Sequence, residues 1–241
     1  MDSLQTNLNT YYGAIAMIDI LGYADRLCKS SIEEIKVKII DKIISLIEAA
    51  NIVVNRDRYR FNKFSNNNTI HTTSLDYLFF SDSMLLFIET DDASLVNIPE
   101  HTINSLCYAT SLILGKGFEN NIALRGAISF GEFYIQRDPV IIIGRPIFEI
   151  SRLEKSQNWA GIVLSDELNK FDLIESFITK YFVPFKNEKD SKEMNVINWT
   201  RYINKPDFDL CFNSKRTDVL VKKENTLKFY NYMIDHLKTT Q

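Results

Sequence analysis

The segment Tyr12 to Gly22, YGAIAMIDILG, constrains this chain more than any other stretch. It is a short apolar run that carries one acid and ends at a glycine. A run of this length without polar alternation fits a strand buried on both faces. Asp19 is conspicuous in that setting, because an ionised carboxylate is costly to bury without a partner.

The rest of the chain supplies elements to cover such a strand. Ser30 and Ser31 followed by Glu33 and Glu34 form an N-cap signal with acids in the first turn, and Ile35, Ile39, Ile40, Ile43, Ile44 and Ile47 continue it at helical spacing. Arg56 to Ser74, containing FSNNNTIHTT, is rich in Asn, Ser and Thr and predicts a long loop or hairpin tip. Leu75 to Glu89, LDYLFFSDSMLLFIE, predicts two strands hinged at Ser81-Asp82-Ser83. Pro99 to Lys116 has helical spacing that Gly115 and Gly117 close. Strands are expected over Asn121 to Tyr134, Pro139 to Ile143, Ile162 to Leu164 and Tyr181 to Phe185, with helices over Ile147 to Gln157 and Leu227 to Leu237. This order predicts an α+β fold: a mostly antiparallel sheet with helices on one face, built on a βαββαβ palm with a ferredoxin-like core.

At 241 residues and 45% hydrophobic content, the chain suits a single domain, with a core over about 10–170 and a C-terminal extension over about 171–241. With 28 Lys+Arg against 31 Asp+Glu, no basic surface announces a nucleic-acid partner, and a small molecule is expected instead. Cys28, Cys107 and Cys211 are far apart and form no metal-ligand spacing, so they read as reduced packing residues. The N-terminus lacks a signal-peptide pattern, and no window approaches the roughly 20 apolar residues of a membrane span. A cytoplasmic chain with no membrane partner is the expectation.

Two carboxylates carry the chemical expectation. Asp19 ends one strand and Asp82 sits at the hinge of the neighbouring hairpin, and adjacent strands lie about 4.8 Å apart. Acids that close repel unless a cation separates them, and hard oxygen ligands suit Mg²⁺ or Mn²⁺. Two such metals about 3.5–4 Å apart would serve phosphoryl transfer. Spacing alone fits equally well a buried acid capping a turn beside a second acid in a hairpin tip.

Four segments in order, YGAIAMIDILGYADR (Tyr12 to Arg26), FFSDSMLLF (Phe79 to Phe87), LRGAISFGEFY (Leu124 to Tyr134) and GRPIFEISRLEKSQNWAGIVL (Gly144 to Leu164), resemble the class III nucleotidyl cyclases. Within them the chain looks most like the bacterial pyrimidine cyclases of Pycsar antiphage defence, and YFVPFKN followed by INW also resembles that subfamily. The resemblance implies a class III cyclase-like palm that converts a nucleoside triphosphate, UTP first and CTP second, to a 3′,5′-cyclic monophosphate with two Mg²⁺ or Mn²⁺ per site. It places Asp19 and Asp82 on the metals, with the carbonyl of Ile20, and the amides of Leu21, Gly22 and Tyr23 against the triphosphate. Arg125 matches an arginine that contacts the phosphates, and Arg152 matches the arginine of the family's Asn-x-x-x-Arg helix, which reaches across a head-to-tail homodimer.

Departures from the family fall in the base and ribose pocket. Phe148 stands at the asparagine position, while Leu78 and Ile141 replace the lysine and aspartate that read a purine. Neither side chain hydrogen-bonds, so the purine code is missing. The alternative these changes leave open is a degenerate cyclase-homology domain that binds nucleotide without turnover.

Overall fold

The computed structural model describes residues 10–61, 73–90, 99–204 and 206–239. Strand β1 (Thr10–Ile20) carries the opening segment, and Ala14, Ile15, Ala16, Ile18 and Ile20 along it are buried. A five-residue helix α1 (Tyr23–Leu27) follows, then α2 (Ile32–Ile35), which runs through a π segment (Lys36–Ile40) into α3 (Asp41–Phe61). The expected N-cap is realised as a capping box: the Glu34 amide donates to Ser31 Oγ at 3.2 Å and the Ser31 amide donates to Glu34 Oε2 at 3.1 Å. Ile35, Ile39, Ile43 and Ile47 form its buried stripe.

Helix α3 reaches Phe61, so the expected loop does not begin at Arg56. No glycine or proline interrupts residues 41–61, and arginine and lysine propagate a helix well. Residues 62–72 of that expectation lie outside the described residues. The hairpin forms as expected, with β2 (Thr73–Phe80) and β3 (Ser83–Thr90) joined at Ser81 and Asp82. Helix α4 (Pro99–Glu119) passes through both glycines that were expected to stop it. Those glycines are packing contacts: a Cβ on Gly115 would stand 2.7 Å from the Trp199 carbonyl oxygen, and one on Gly117 would stand 3.1 Å from Leu124 Cδ1.

Strands β4 (Leu124–Arg137) and β5 (Val140–Gly144) form a second hairpin, and α5 (Arg145–Ser156) leaves it with a proline in its first turn. Then come β6 (Ile162–Leu164), β7 (Ile178–Val183), β8 (Lys192–Ile197), α6 (Phe208–Cys211) and α7 (Thr217–Thr239). Strand β8, KEMNVI, was not among the expected strands, since its charged start hides a buried Met194, Val196 and Ile197. Helix α7 begins ten residues before the expected Leu227.

Among the described residues the strands make one eight-stranded sheet in the order β2-β3-β1-β4-β6-β8-β7, with β5 paired to β4. Every pairing is antiparallel except β4 with β6. The first six major elements realise the βαββαβ palm, with α3 and α4 packed on each other and α4 on β1, β3 and β4. Strands β7 and β8, beyond residue 171, extend the same sheet, and α7 packs there through Phe229, whose ring lies 5.0 Å from Trp159 and 5.7 Å from Trp199. Cys107 and Cys211 are buried, with thiol pKa values pushed by desolvation to about 12. Among the described residues, no helix is long and apolar enough to cross a membrane.

Candidate functional site

The central position of β1 determines where Asp19 sits. It lies one residue before the strand's end, paired across one edge with Ser83 of β3 and across the other with Arg125 of β4. The β2–β3 turn is tied to the same point, because the Ile20 amide donates to the Asp82 carbonyl at 2.9 Å. Ser83 Oγ donates to Asp19 Oδ1 at 3.2 Å, and Arg125 Nη2 lies 3.6 Å from Asp19 Oδ2. Burial, then the charges of Glu154 and Asp82, push the Asp19 carboxyl up to about 6, against the smaller opposing pull of Arg125 and Ser83. Three carboxylates, Asp19, Asp82 and Glu154, thus act on one another around a single guanidinium, that of Arg125.

Ser81 shapes the turn that delivers Asp82. Its φ of 56° lies in the left-handed region, which glycine adopts without penalty and a serine does not. Ser81→Gly is expected to stabilise the fold by about 1 kcal/mol, a melting-temperature rise of roughly 2–4 °C by calorimetry. An unchanged or lower value would mean that the serine hydroxyl offsets the strain.

Arg125 is held from several sides. Its Nε donates to Glu154 Oε1 at 2.7 Å, Nη2 pairs with the same carboxylate, and Nη1 donates to the Gln157 carbonyl at 3.2 Å. Gln157 is itself fixed, since its Nε2 donates to the Gly126 carbonyl at 2.8 Å and its Oε1 accepts from Trp159 Nε1 at 2.8 Å. Glu154, Gln157 and Trp159 are all buried.

The other expected site residues divide into two groups. Near Asp19, Gly22 has φ 75° and caps α1, and Tyr23 opens that helix, so both amides lie where a helix has no internal acceptor. The Leu21 amide, by contrast, donates to the Ala123 carbonyl at 3.0 Å and is spent within the fold. Leu78 is half-buried in β2 opposite Leu85. The second group, Ile141, Phe148 and Arg152, lies on β5 and α5. Ile141 pairs with Gln136 on β4, and the next residue, Arg137, ion-pairs with Asp76 and donates to the Tyr77 carbonyl at 3.4 Å, so the β4–β5 hairpin returns beside the stretch of β2 that carries Leu78. Phe148 is 72% exposed. Arg152 precedes the inward-facing Glu154 by two residues, about 200° around the helix, so it points outward on the same side as Phe148. Among the described residues Arg152 has no ion-pair partner.

Several contributors escaped sequence reasoning. Ser83 enters the sequence only as the far side of the Asp82 hinge and Glu154 only as part of the segment that resembles the cyclase helix, while Gln157 and Lys186 carry no signal of their own. Lys186 Nζ donates to the Lys155 carbonyl, and its pKa is lowered by burial and then by Arg125. Among the described residues, no group of three or more His, Cys, Asp or Glu side chains is placed to enclose a metal. Two carboxylates and the Ile20 carbonyl still fit Mg²⁺ or Mn²⁺, which keep several waters and take further oxygens from phosphates. A cation there would offset the burial and the neighbouring carboxylates that oppose ionisation of Asp19.

No family model matches the chain, and no curated protein matches it. Solved structures do. One structure of a bacterial light-regulated adenylyl cyclase superposes with a TM-score of 0.55 at 10% identity, covering 93% of this chain and 59% of that one. A second such structure gives 0.53 at 10% identity, covering 83% and 55%. The chain thus spans little more than half the length of those proteins. At this identity the likeness establishes a fold, the cyclase-like palm, and that is the fold observed.

Proposed function

We propose that the chain is a nucleotidyl cyclase. The observation that carries this reading is the charge-frustrated pair Asp19 and Asp82 at the sheet end where β1 meets the β2–β3 turn. In the proposed reaction the 3′-oxygen of a nucleoside triphosphate attacks its own α-phosphorus, the bond to the β-phosphate oxygen breaks, pyrophosphate leaves and the hydroxyl proton is lost to solvent. Two Mg²⁺ or Mn²⁺ ions held by Asp19 and Asp82 would neutralise the triphosphate and acidify the hydroxyl. Gly22 and Tyr23 offer amides to the phosphates, and Lys186 is a cation close enough to feel Asp19.

Arg152 would stabilise the charge that develops in the transition state, but in trans. It faces outward beside Phe148, on the far side of its helix from Glu154, and Val140, Ile141 and Ile143 expose apolar surface on the adjoining hairpin. These features support a head-to-tail homodimer in which each site joins the acids of one chain to Arg152 of the other.

Leu78 and Ile141 cannot make the hydrogen bonds that would read a purine, which favours UTP, with CTP second. By resemblance the product would be a second messenger of antiphage defence. A catalytically degenerate nucleotide-binding module is the second reading, favoured by Phe148, which has no hydrogen bond to give a ribose.

Incubating the purified chain with each of the four triphosphates and Mn²⁺ decides between them. A cyclic pyrimidine monophosphate and pyrophosphate are the expected products. No cyclic product from any triphosphate, or turnover that survives EDTA, would reject the cyclase reading.

A further inference from the structure

Arg125 is the most tightly held cation of the site. A phosphate ligand needs guanidinium donors that open toward the ligand, yet this side chain is 8% exposed and its donors face Glu154 and the Gln157 carbonyl. Neither partner can move away alone. Glu154 is buried against Arg125 and would be left as an unpaired carboxylate, while Gln157 is locked to Gly126 and Trp159. Among the described residues, the carboxylate that Arg125 meets without hydrogen-bonding it is Asp19, at 3.6 Å.

We infer that Arg125 is a positioning residue for the Asp19 carboxylate, tuned by Glu154, and not a ligand of phosphate. The inference rests on the metal-dependent cyclase reading above. Left alone, a guanidinium beside Asp19 would close onto the carboxylate and repel a dication. Glu154 draws it back and cancels its charge, so that Asp19 keeps its orientation and a cation meets a net negative site. Gln157 fixes the height of the arginine through its backbone carbonyl. Glu154 and Gln157 thereby act on metal affinity without touching metal or nucleotide.

The test measures Mn²⁺ binding to the full chain by electron paramagnetic resonance, and tripolyphosphate binding by calorimetry at saturating Mn²⁺. Glu154→Gln should weaken Mn²⁺ binding about tenfold, since Arg125 is no longer neutralised. A double variant, Arg125→Met with Glu154→Met, removes both charges at similar volume, which buried pairs commonly tolerate. It should bind tripolyphosphate at saturating Mn²⁺ within about threefold of the parent chain, because the net charge is unchanged and no phosphate ligand is lost, while its Mn²⁺ affinity should fall several-fold because Asp19 has lost the group that orients it. Should Glu154→Gln fail to fold, the double variant still decides. A tenfold or greater loss of tripolyphosphate affinity in the double variant, or undiminished Mn²⁺ affinity in Glu154→Gln, overturns the inference alone. Absence of any Asp82-dependent Mn²⁺ binding in the parent chain overturns it together with the cyclase reading.

Discussion

Asp19→Asn is expected to lower turnover by at least about 10³-fold and yet to raise the melting temperature of the metal-free protein at pH 7.5. The two effects share one cause. In the folded chain the Asp19 carboxyl is raised to about 6 by burial and by Glu154 and Asp82. A carboxyl whose folded pKa exceeds its unfolded value favours folding most below the unfolded value, and that contribution is lost as pH rises through the folded one. The metal-free parent should therefore lose about 3 kcal/mol at this position between pH 4 and pH 7, an upper bound that Asn escapes at every pH. Mn²⁺ should reverse the loss in the parent at pH 7.5, and much less at pH 5, where protons compete for the same oxygen. In Asp19→Asn the metal should raise stability at neither pH. Melting curves at both pH values, with Mn²⁺ and with EDTA, check all of this. An Asn variant that melts lower than the parent throughout would identify Asp19 as a structural acid held by Ser83 and Arg125.

The legible parts of this protein are those where local chemistry and global fold agree. YGAIAMIDILG reads as a buried strand because nothing in it alternates, and it is the strand between β3 and β4. Ser31 and Glu34 announce a helix start that needs only the local backbone, and the capping box is there. Gly115 and Gly117 misled because a glycine's reason for being small lies elsewhere in the fold: the first is set by Trp199, more than eighty residues on. Strand β8 was hidden because its first two residues are charged and exposed, and Met194, Val196 and Ile197 are buried only behind them. The site divides along the same line. Asp19 and Asp82 each sit at a strand end that the apolar pattern marks, whereas the engagement of Arg125 by Glu154 and Gln157 depends on how α5 returns over β4, and no spacing in the sequence encodes that. The Leu21 amide is a similar case, since its acceptor belongs to the segment leading into β4.

Two variants that are each inactive alone should recover activity when they share a dimer. Asp82→Ala removes a metal carboxylate from the site its own chain builds. Arg152→Ala removes the outward arginine, a donor to transition-state charge commonly worth about 10²–10³ in rate. Within one chain Arg152 lies on the face of α5 opposite Glu154, and Glu154 is the residue that reaches Arg125 beside Asp19, so in the proposed head-to-tail dimer the arginine would come from the second copy. When the variants are co-expressed, random pairing makes about half the dimers mixed. Each mixed dimer holds one intact site, with Asp82 from the Arg152→Ala chain and Arg152 from the Asp82→Ala chain, and one doubly broken site. Cyclic nucleotide formation should therefore return to about a quarter of the parent rate, from a background near zero for either variant alone. The rate should follow the fraction of tagged heterodimer isolated by tandem affinity purification. A mixture no more active than its components would mean that each site is built within one chain. An active Arg152→Ala homodimer would remove the arginine from the reaction, and with it the argument that the exposed face of α5 seeks a second copy.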